Sequence, residues 1–296
     1  MKNVLIAGAT GHLGSYLLGE LKDYHNVLGL SKSGNIKDGA LKIDLTNEYK
    51  TKSFAKSCQN FDVLIFLVGL AHSKGESKQY PIFRKMNVNT LKNLLSSLEK
   101  EKKLPSIIIY TSTISVYGEE LRTNHYIENS KTNPKSPYGK TKLEAERYLL
   151  KYYHSASYIL RLAPIYSSKF TLNLKRRSEL WNFNYKVGNG NKKLSLCNIK
   201  NLKYAIDGII ERNVPQGIYN LADEKPYTFN NIIDLRKRKV VIRLPNFFVL
   251  FIFLIGKYFK NIFLKENSIK LLSNNIYPSN KIREYLKLPF NLTNLP

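Results

Sequence analysis

The chain has 296 residues, of which 43% are hydrophobic, and a formal net charge of +25 at pH 7. This length provides for one large domain or two modest ones with a sizeable core. The charge suits nucleic acid, an anionic membrane or an anionic small substrate, but no helix-turn-helix or RNA-binding motif is visible. We interpret it as lysines on solvated faces and expect no nucleic-acid partner. Two distant cysteines and five histidines without ligand spacing exclude a disulfide framework and disfavour a metal site.

A glycine-rich turn separates the first predicted strand from the first predicted helix. Residues 3–7 form a short apolar run typical of a buried parallel strand, and apolar residues at helical spacing follow from residue 15. Such a turn lets the backbone approach a pyrophosphate, while the helix N-terminus offers amide donors to the phosphates. The pattern predicts a dinucleotide site formed by Gly8, Thr10, Gly11, His12, Leu13 and Gly14.

The residues at the carboxyl ends of the next two predicted strands indicate which dinucleotide is expected. Residues 27–30 form the second strand, and Ser31 and Lys32 follow it where an acidic residue would bond the ribose hydroxyls of NAD. A hydroxyl and a cation suit a 2′-phosphate, so the sequence favours NADP over NAD, although Lys32 also fits a solvated lysine. Asp44, followed by Leu45, ends another short strand. Its carboxylate either accepts from an adenine amine or caps the next helix.

Further apolar runs predict the central strands of an α/β fold. Residues 61–69 form a strand ending in Val68 and Gly69, where the backbone can approach a cofactor. A helix is predicted from about 80 to 100, and a strand at 106–110 runs into a cluster of hydroxyl side chains. Ligands bind at the carboxyl ends of strands in open α/β sheets. With a strand at 158–162, the alternation predicts a doubly wound parallel sheet.

A tyrosine and a lysine stand four residues apart at the start of a long helical pattern. Ser136 suits the N-cap and Pro137 the first helical position, so a helix is predicted to begin here. Residues at i and i+4 share a helix face, so Tyr138 and Lys142 point the same way. A nearby ammonium lowers the phenol pKa from its usual value of about 10. Tyr138 then becomes usable as a general acid or base, although such pairs are also common on inert surface helices.

These residues together resemble the extended short-chain dehydrogenase/reductase superfamily, in its nucleotide-sugar epimerase, dehydratase and reductase branch. The resemblance covers most of the chain and rests on Gly8/Gly11/Gly14, Asp44, Thr113 with Val116-Tyr117-Gly118, Tyr138-x-x-x-Lys142 and Leu160-Arg161. It implies a Rossmann-type fold with a smaller C-terminal α+β region for substrate. It also implies that Thr113 acts with Tyr138 and Lys142, that Lys142 bonds the nicotinamide ribose, and that Asn87 is the structural asparagine beside the site.

The same resemblance implies a division of the chain and a substrate. It places an NAD(P)-binding domain at 1–163 and a mainly substrate-binding region at 164–296, with 191–223 returning to the first domain. The implied substrate is a UDP- or dTDP-sugar, and a homodimer is one candidate assembly. The expected substrate contacts are Thr113, Asn173, Arg177 and Lys193.

Two features of this C-terminal region allow a local interpretation. Asn173 is similar to an asparagine that the family often directs at the diphosphate. The neighbouring Lys175, Arg176 and Arg177 either add charge to that pocket or form a solvated helix face. Residues 188–193 are interpreted as a hairpin-like turn, because two glycines alternate there with asparagines.

One departure from the family pattern narrows the implied reaction. Family dehydratases carry an Asp-Glu pair directly after the catalytic threonine, whereas this chain has Ile114 and Ser115. Dehydration is therefore disfavoured. The resemblance implies a 4-keto reductase, preferred because the second strand end favours NADP, or a 4-epimerase of a nucleotide-linked or lipid-diphosphate-linked sugar. A non-catalytic NAD(P) sensor is a distant alternative that the intact Tyr138 and Lys142 disfavour.

The most apolar run of the chain, residues 247–256, lies near its end. Ten residues at about 1.5 Å each span only about half of a bilayer core, so we predict no transmembrane helix. Lysines at 257, 260, 265 and 270 flank the run. It is either a buried helix of the substrate region or, over 247–265, a monotopic contact with an anionic membrane. Without a recognisable signal peptide we expect a cytoplasmic protein, at the inner face of the membrane in the second case.

Overall fold

A computed structural model describes residues 1–33, 39–71, 77–121, 124–180, 183–235 and 240–295. The chain divides into two compact units. The first unit consists of Met1–Thr113, Pro137–Arg161 and Ile206–Tyr219. The second unit consists of Ile114–Ser136, Leu162–Ala205 and Asn220–Pro296. Each unit therefore combines stretches that are far apart in the sequence.

Strands and helices alternate through the first part of the chain, as the sequence predicts. The strands are β1 Asn3–Ala7, β2 Asn26–Ser31, β3 Ala40–Lys42, β4 Val63–Phe66, β5 Ile107–Thr113, β6 Asn124–His125, β7 Ser157–Leu162, β8 Ile165–Tyr166, β9 Glu179–Leu180, β10 Phe183–Val187, β11 Lys193–Leu194, β12 Cys197–Asn198, β13 Gly217–Leu221, β14 Tyr227–Thr228, β15 Val241–Leu244 and β16 Asn275–Ile276. The helices are α1 His12–Leu21, α2 Glu48–Ser57, α3 Tyr80–Arg84, α4 Thr90–Lys100, α5 Pro137–Tyr152, α6 Leu172–Ser178, α7 Ile199–Ile210, α8 Phe229–Asp234, α9 Asn246–Tyr258, α10 Ile262–Leu272 and α11 Asn280–Arg283.

A seven-stranded sheet carries the first unit, in the order β3-β2-β1-β4-β5-β7-β13. Strand β1 pairs in parallel with both β2 and β4, and β4 pairs in parallel with β5. The strand order reverses between β1 and β4, which is the topological switch point where ligands bind in doubly wound sheets. The predicted Rossmann-type fold is confirmed, and the carboxyl ends of β1, β4 and β5 lie at one edge.

Apolar strands and helix stripes explain why this sheet forms. All four residues of β4 are fully buried, as a strand covered on both faces requires. Helix α4 buries Leu91, Leu94, Leu95 and Leu98, which share one face at helical spacing. These leucines join Leu64 and Ile108 of the sheet in one hydrophobic cluster. The hydrophobic pattern of the sequence is thus the pattern of the core.

The helix predicted at about 80–100 is interrupted. Helix α3 ends at Arg84, a π-helical turn covers Lys85–Asn89, and α4 follows. A π turn inserts an extra residue into the helical ladder and is frequent at functional sites. Here it carries Asn87, whose side chain is completely buried.

A buried ion pair ties helix α5 to two strands of the sheet. Arg161 Nη2 of β7 donates to Glu146 Oε2 of α5 at 2.8 Å, and both side chains are almost inaccessible to water. The hydroxyl of Ser112 in β5 donates to the other carboxylate oxygen of Glu146. Because both charges are desolvated, each depends on the other for compensation.

The second unit combines small sheets with short helices. Its sheets have the orders β15-β10-β9, β14-β11-β16-β6 and β12-β8. A buried aspartate organises part of its core, since Asp223 accepts hydrogen bonds from Tyr166, Tyr227, Asn201 and the amide of Asn198. The desolvation of burial nevertheless raises the pKa of Asp223.

The predicted hairpin-like turn at residues 188–193 forms as a turn but does not connect the two strands of a hairpin. Gly188 and Gly190 adopt positive φ values of 58° and 77°, so a turn does form. The strands on either side, β10 and β11, belong to different sheets and do not pair with each other. Turn residues in a sequence specify a change of direction, whereas strand pairing depends on the rest of the unit.

We expect the Arg161→Met variant to lose about 3–5 kcal/mol of unfolding free energy, because Glu146 then remains buried without its partner. The double variant Glu146→Leu with Arg161→Met should be less destabilised than either single variant. Urea denaturation followed by circular dichroism measures these values. The matched control is Lys52→Met, which breaks an exposed pair with Glu48 and should change stability by at most about 0.5–1 kcal/mol. A double variant as unstable as the sum of the singles would contradict this account.

Candidate active site

The glycine turn after β1 is closed by direct backbone packing. Gly8 has a φ of +93°, and its amide donates to the carbonyl of Leu30 at the end of β2. At Gly14 a Cβ atom would lie 2.2 Å from the carbonyl oxygen of Gly8. Only glycine allows helix α1 to approach the turn this closely. The two glycines therefore shape the cradle that the sequence assigns to a pyrophosphate.

Helix α1 presents its N-terminus at this turn. Gly11 occupies the N-cap in an extended conformation and makes no side-chain cap. The amides of a first helical turn lack intrahelical acceptors, and the helix dipole is positive at this end. His12 and Leu13 open the helix, with the imidazole ring exposed. The arrangement fits a dinucleotide diphosphate, which would be held by backbone amides of the turn and of α1.

The end of β2 contacts the same turn through hydroxyl groups. Thr10 Oγ1 lies 2.5 Å from Ser31 Oγ and 3.3 Å from Ser33 Oγ. Lys32 Nζ lies 3.3 Å from Asp44 Oδ2, although the lysine side chain is 68% exposed. The structure thus brings Thr10, Ser31, Lys32 and Asp44 together, as the sequence predicts, and adds an ion pair that the sequence did not reveal.

Asp44 does not cap the helix that follows it. Its Oδ1 accepts hydrogen bonds from the hydroxyl and the amide of Thr46. These hydrogen bonds, together with the Lys32 ammonium group, lower the pKa of the Asp44 carboxyl. Helix α2 is capped by Asn47, whose side chain accepts from the amide of Lys50. The capping alternative is therefore wrong. The carbonyl of the buried Leu45 accepts from Asn93, so Leu45 fixes the chain beside α4.

The segment after β4 is held by Asn87. Its Oδ1 accepts from the amide of Leu70 at 2.6 Å, and its Nδ2 donates to Thr141 Oγ1 at 2.9 Å. A Cβ atom at Gly69 would lie 3.1 Å from Lys142 Nζ, so the glycine leaves room for the ammonium group. Val68, directly before it, is half-buried. Asn87 thus links the end of β4 to helix α5.

Lys142 is buried in helix α5 with a defined set of contacts. Its Nζ donates to the carbonyl of Thr111 at 2.9 Å and lies 4.7 Å from the ring centroid of Tyr110. Burial lowers the pKa of Lys142 to about 8, while the nearby Glu146 carboxylate acts in the opposite direction. At neutral pH the group is mostly a cation, with its proton held less firmly than in water.

Tyr138 and Thr113 complete the predicted catalytic set. Helix α5 begins at Pro137, as predicted, so Tyr138 lies one turn before Lys142 on the same helix. The tyrosine is half-buried, and Thr113 is the last residue of β5 with 7% of its surface exposed. A cation on the same helix face favours the phenolate, which is the condition for proton exchange by a tyrosine.

Sequence reasoning missed the residues that support this lysine. Tyr110 and the carbonyl of Thr111 contact its ammonium group, and Glu146 lies one further turn along α5. The i+4 spacing of Glu146 from Lys142 was a usable signal, because it continues the face that carries Tyr138. The contacts from β5 had no such signal, since they depend on which strand lies beneath the helix.

Two of the predicted substrate contacts in the second unit are joined. Asn173 Nδ2 donates to the carbonyl of Ile165 at 2.7 Å, and Arg177 Nη1 donates to the carbonyl of Asn173 at 2.7 Å. Burial lowers the pKa of Arg177 to about 10. Lys175 and Arg176 are exposed, as the solvated-face interpretation expects. Lys193 is exposed on β11, and its backbone amide donates to the side-chain oxygen of Asn274.

A tyrosine of the Val-Tyr-Gly motif belongs to an aromatic stack in the second unit. The ring of Tyr117 stacks on Tyr126 and Tyr277, with centroids 5.1 Å and 5.8 Å away. The Tyr117 hydroxyl donates to Asn220 Oδ1 at 2.6 Å. Gly118 adopts a φ of +86°, and a Cβ atom there would lie 2.4 Å from the carbonyl oxygen of Asn133. This motif therefore has a structural role, and a cleft lies beside it.

The family assignment follows from a sequence profile. The profile of the NAD dependent epimerase/dehydratase family matches residues 4–222. The chain belongs to this family. The match includes the glycine turn, the Tyr138–Lys142 helix and the seven-stranded sheet except for Asn3, the first residue of β1.

Individual relatives agree with this family. An N-acetyl-alpha-D-glucosaminyl-diphospho-ditrans,octacis-undecaprenol 4-epimerase of Escherichia coli O157:H7 is 23% identical over 265 residues, which cover 82% of this chain and 74% of the relative. The UDP-Glc/GlcNAc 4-epimerase of Campylobacter jejuni superposes with a TM-score of 0.77 at 17% identity, covering 99% of this chain and 95% of that one. A UDP-glucuronic acid 4-epimerase of Bacillus cereus, solved in complex with NAD, gives 0.74 at 19% identity, covering 99% and 93%. These structural likenesses establish the fold.

Two further properties of the part of the chain that the structure describes concern membrane crossing and metal binding. Across residues 1–295, outside the gaps stated above, no helix combines the length and apolarity that a membrane crossing needs. Over the same ranges, no group of three or more His, Cys, Asp or Glu side chains is placed to hold a metal ion.

We expect Lys142 to titrate near pH 8, because its ammonium group is desolvated. NMR of the chain with ¹³C-labelled lysines measures this, and the resonance missing from the Lys142→Met variant identifies the residue. In urea the same resonance should titrate at about 10.4. The native state then binds fewer protons than the unfolded state between these two values, so this group makes stability rise with pH through that window. A native midpoint of about 10 or higher would contradict the burial argument.

Proposed function

We propose that this chain catalyses NAD(P)-dependent oxidoreduction at C4 of a sugar carried on a diphosphate, and that it acts as a 4-epimerase. The observation that carries the proposal is the buried ammonium of Lys142, which contacts Tyr110 and the Thr111 carbonyl of β5 and lies one turn after Tyr138 on helix α5. The buried cation lies one helical turn from the half-buried phenol of Tyr138. It suits a phenol that must gain and lose a proton near neutral pH.

The proposed mechanism assigns one role to each of three side chains. Tyr138 accepts the proton of the C4 hydroxyl as the carbonyl forms, and returns it when the carbonyl is reduced. Thr113 hydrogen-bonds the same oxygen and fixes its position. Lys142 stabilises the phenolate form of Tyr138 and so lowers its pKa. When bound, NAD(P) takes up and returns hydride, and the chain supplies orientation and proton exchange.

The 4-epimerase assignment draws on the relatives and on one local departure. The Escherichia coli and Campylobacter jejuni proteins are both named as 4-epimerases. The turn after β5 holds Ile114 and Ser115, so it lacks the acid and base that water elimination needs. We therefore propose an epimerase of a UDP- or dTDP-sugar, or of a sugar on a lipid diphosphate.

A 4-keto-sugar reductase is the second candidate, supported by the end of β2. Ser31 ends β2 and Lys32 follows it, and a hydroxyl with a cation suits the 2′-phosphate of the exchangeable NADP that a reductase uses. The ion pair between Lys32 and Asp44 places a carboxylate beside that cation. An anion there opposes a phosphate, and for this reason we place the epimerase first.

The net consumption of NAD(P)H distinguishes the 4-epimerase from the 4-keto-sugar reductase. Without added cofactor, and followed by NMR, the UDP-, dTDP- and GDP-sugars should give their C4 epimers, while their 4-keto derivatives, which need a hydride from outside, should remain unconverted. The same sugars are then incubated with added NADPH. An epimerase returns the hydride that it removes, so no net NAD(P)H is consumed. Conversion that consumes NADPH in equal amount to product would instead establish the reductase.

We expect Tyr138→Phe to lower kcat on the substrate so identified by about 10²–10⁴-fold, because the proton donor and acceptor is lost. Dinucleotide affinity, measured by calorimetry, should change little, since the ring remains. The control is Tyr152→Phe on the same helix, whose side chain is 59% exposed. Full turnover by the Tyr138 variant would overturn the catalytic assignment.

A further inference from the structure

Helix α9 carries a row of large apolar side chains that face water. Phe247, Phe251, Leu254 and Tyr258 are 74%, 59%, 51% and 81% exposed. Their spacing of four, three and four residues places them on one side of the helix. The opposite side packs inward through Val249 and Gly256, which are buried. The buried-helix interpretation of this run is therefore wrong, although its prediction as a helix holds.

The exposed row continues around the helix and onto its neighbour. We call the whole set the α9–α10 surface, and its members are Phe247, Phe248, Leu250, Phe251, Leu254, Tyr258, Phe259 and Phe263. Helices α9 and α10 pack closely, since a Cβ atom at Gly256 would lie 2.8 Å from the amide nitrogen of Lys265. Asn261 caps α10 and donates to the carbonyl of Gly256. The two helices thus form a braced hairpin whose apolar face is open.

The exposed charged side chains of residues 240–265 are all basic, and the next acidic residue, Glu266 of α10, is buried. Lys257 and Lys260 are exposed beside Tyr258 and Phe259. The sequence from 240 to 265 contains no Asp or Glu. Exposed apolar patches on folded chains mark contact sites, and aromatic side chains with neighbouring lysines match the boundary between lipid headgroups and acyl chains.

The dimensions and charge select a lipid surface over other occupants. Helix α9 has 13 residues, or about 20 Å, which is shorter than a bilayer core of about 30 Å. The helix can therefore lie in the interface but not cross it. A second copy would bring its own Lys257 and Lys260 against the same cations, whereas anionic headgroups neutralise them.

We propose that the α9–α10 surface docks this chain on an anionic lipid bilayer. The aromatic row enters the headgroup region, and Lys257 and Lys260 contact the anionic headgroups at its rim. The surface lies beyond residue 222, where the family profile ends. Docking is therefore an addition to the family's shared chemistry and holds whichever sugar the chain acts on.

Flotation of the full chain with lipid vesicles tests the proposal. The chain should co-float with phosphatidylcholine vesicles containing about 30 mol% phosphatidylglycerol at least about tenfold more than with phosphatidylcholine alone. Raising the salt concentration should reduce the difference, because screening weakens the lysine contacts. Absence of co-flotation with the anionic vesicles overturns the proposal.

Paired variants separate the apolar and the charged contributions. Phe247→Ser with Phe251→Ser should abolish co-flotation, and Lys257→Glu with Lys260→Glu should reduce it by about tenfold or more. The matched controls are Tyr49→Ser, an aromatic side chain that is 80% exposed in the first unit, and Lys50→Glu with Lys100→Glu, all exposed positions. Controls as impaired as the test variants would overturn the proposal.

Three further measurements exclude the remaining explanations. Thermal unfolding should be the same for wild type and all variants, since every substituted side chain is exposed, and turnover of a water-soluble nucleotide sugar should also be unchanged. Sedimentation without lipid should show the same association state for the wild type and for the variant with Phe247→Ser and Phe251→Ser. Self-association that this variant abolishes, with no flotation, would assign the surface to a second copy and overturn the lipid proposal.

Discussion

The buried ammonium of Lys142 is the interaction on which the candidate site depends. Removing a cation from water is costly, and the structure offsets the cost with one carbonyl, one aromatic ring and a carboxylate one turn away. Each of these partners lies on β5 or α5. The position of this helix over this strand is therefore fixed by electrostatics as well as by packing, and the buried pair of Glu146 and Arg161 extends the same arrangement to β7.

The rest of the site follows from the strand order of the first unit. Reversal of the order between β1 and β4 leaves a crevice at their carboxyl ends, and the glycine turn follows β1 there. Gly8 and Gly14 admit the backbone of α1 to the turn, and Gly69 leaves space for the Lys142 side chain. Glycine at positions 8 and 14 thus allows close backbone packing, and glycine at position 69 leaves room for a charged group.

The second unit shows a different balance between burial and exposure. It buries Asp223 among four donors, yet it leaves Phe247, Phe248 and Phe251 of α9 exposed to water. An isolated domain would gain free energy by reversing this, since apolar burial is favourable and carboxylate desolvation is costly. The proposed lipid contact would cover this exposed aromatic row, and the lysines beside it suit a surface of negative charge.

The sequence alone predicted the alternating sheet, the glycine turn, the start of α5 at Pro137 and the shared face of Tyr138 and Lys142. Each of these depends on local patterns, namely hydrophobic period, capping and glycine spacing, that act over a few residues. It did not predict the partners of Lys142, the ion pair of Lys32 with Asp44 or the π turn that places Asn87. Those contacts join residues that are distant in the chain.

Tertiary structure also decided the cases that local patterns left open. The sequence predicts a turn at 188–193, but the structure decides that the strands on either side do not pair. The sequence also predicts a helix over the apolar run at 247–256, but the structure decides that one side of this helix is exposed. An apolar segment has the same composition whether it faces a core or a membrane, and a glycine turn has the same φ values whichever strands it joins. Only the packing of the whole unit determines which side chains find protein partners and which remain open to another surface.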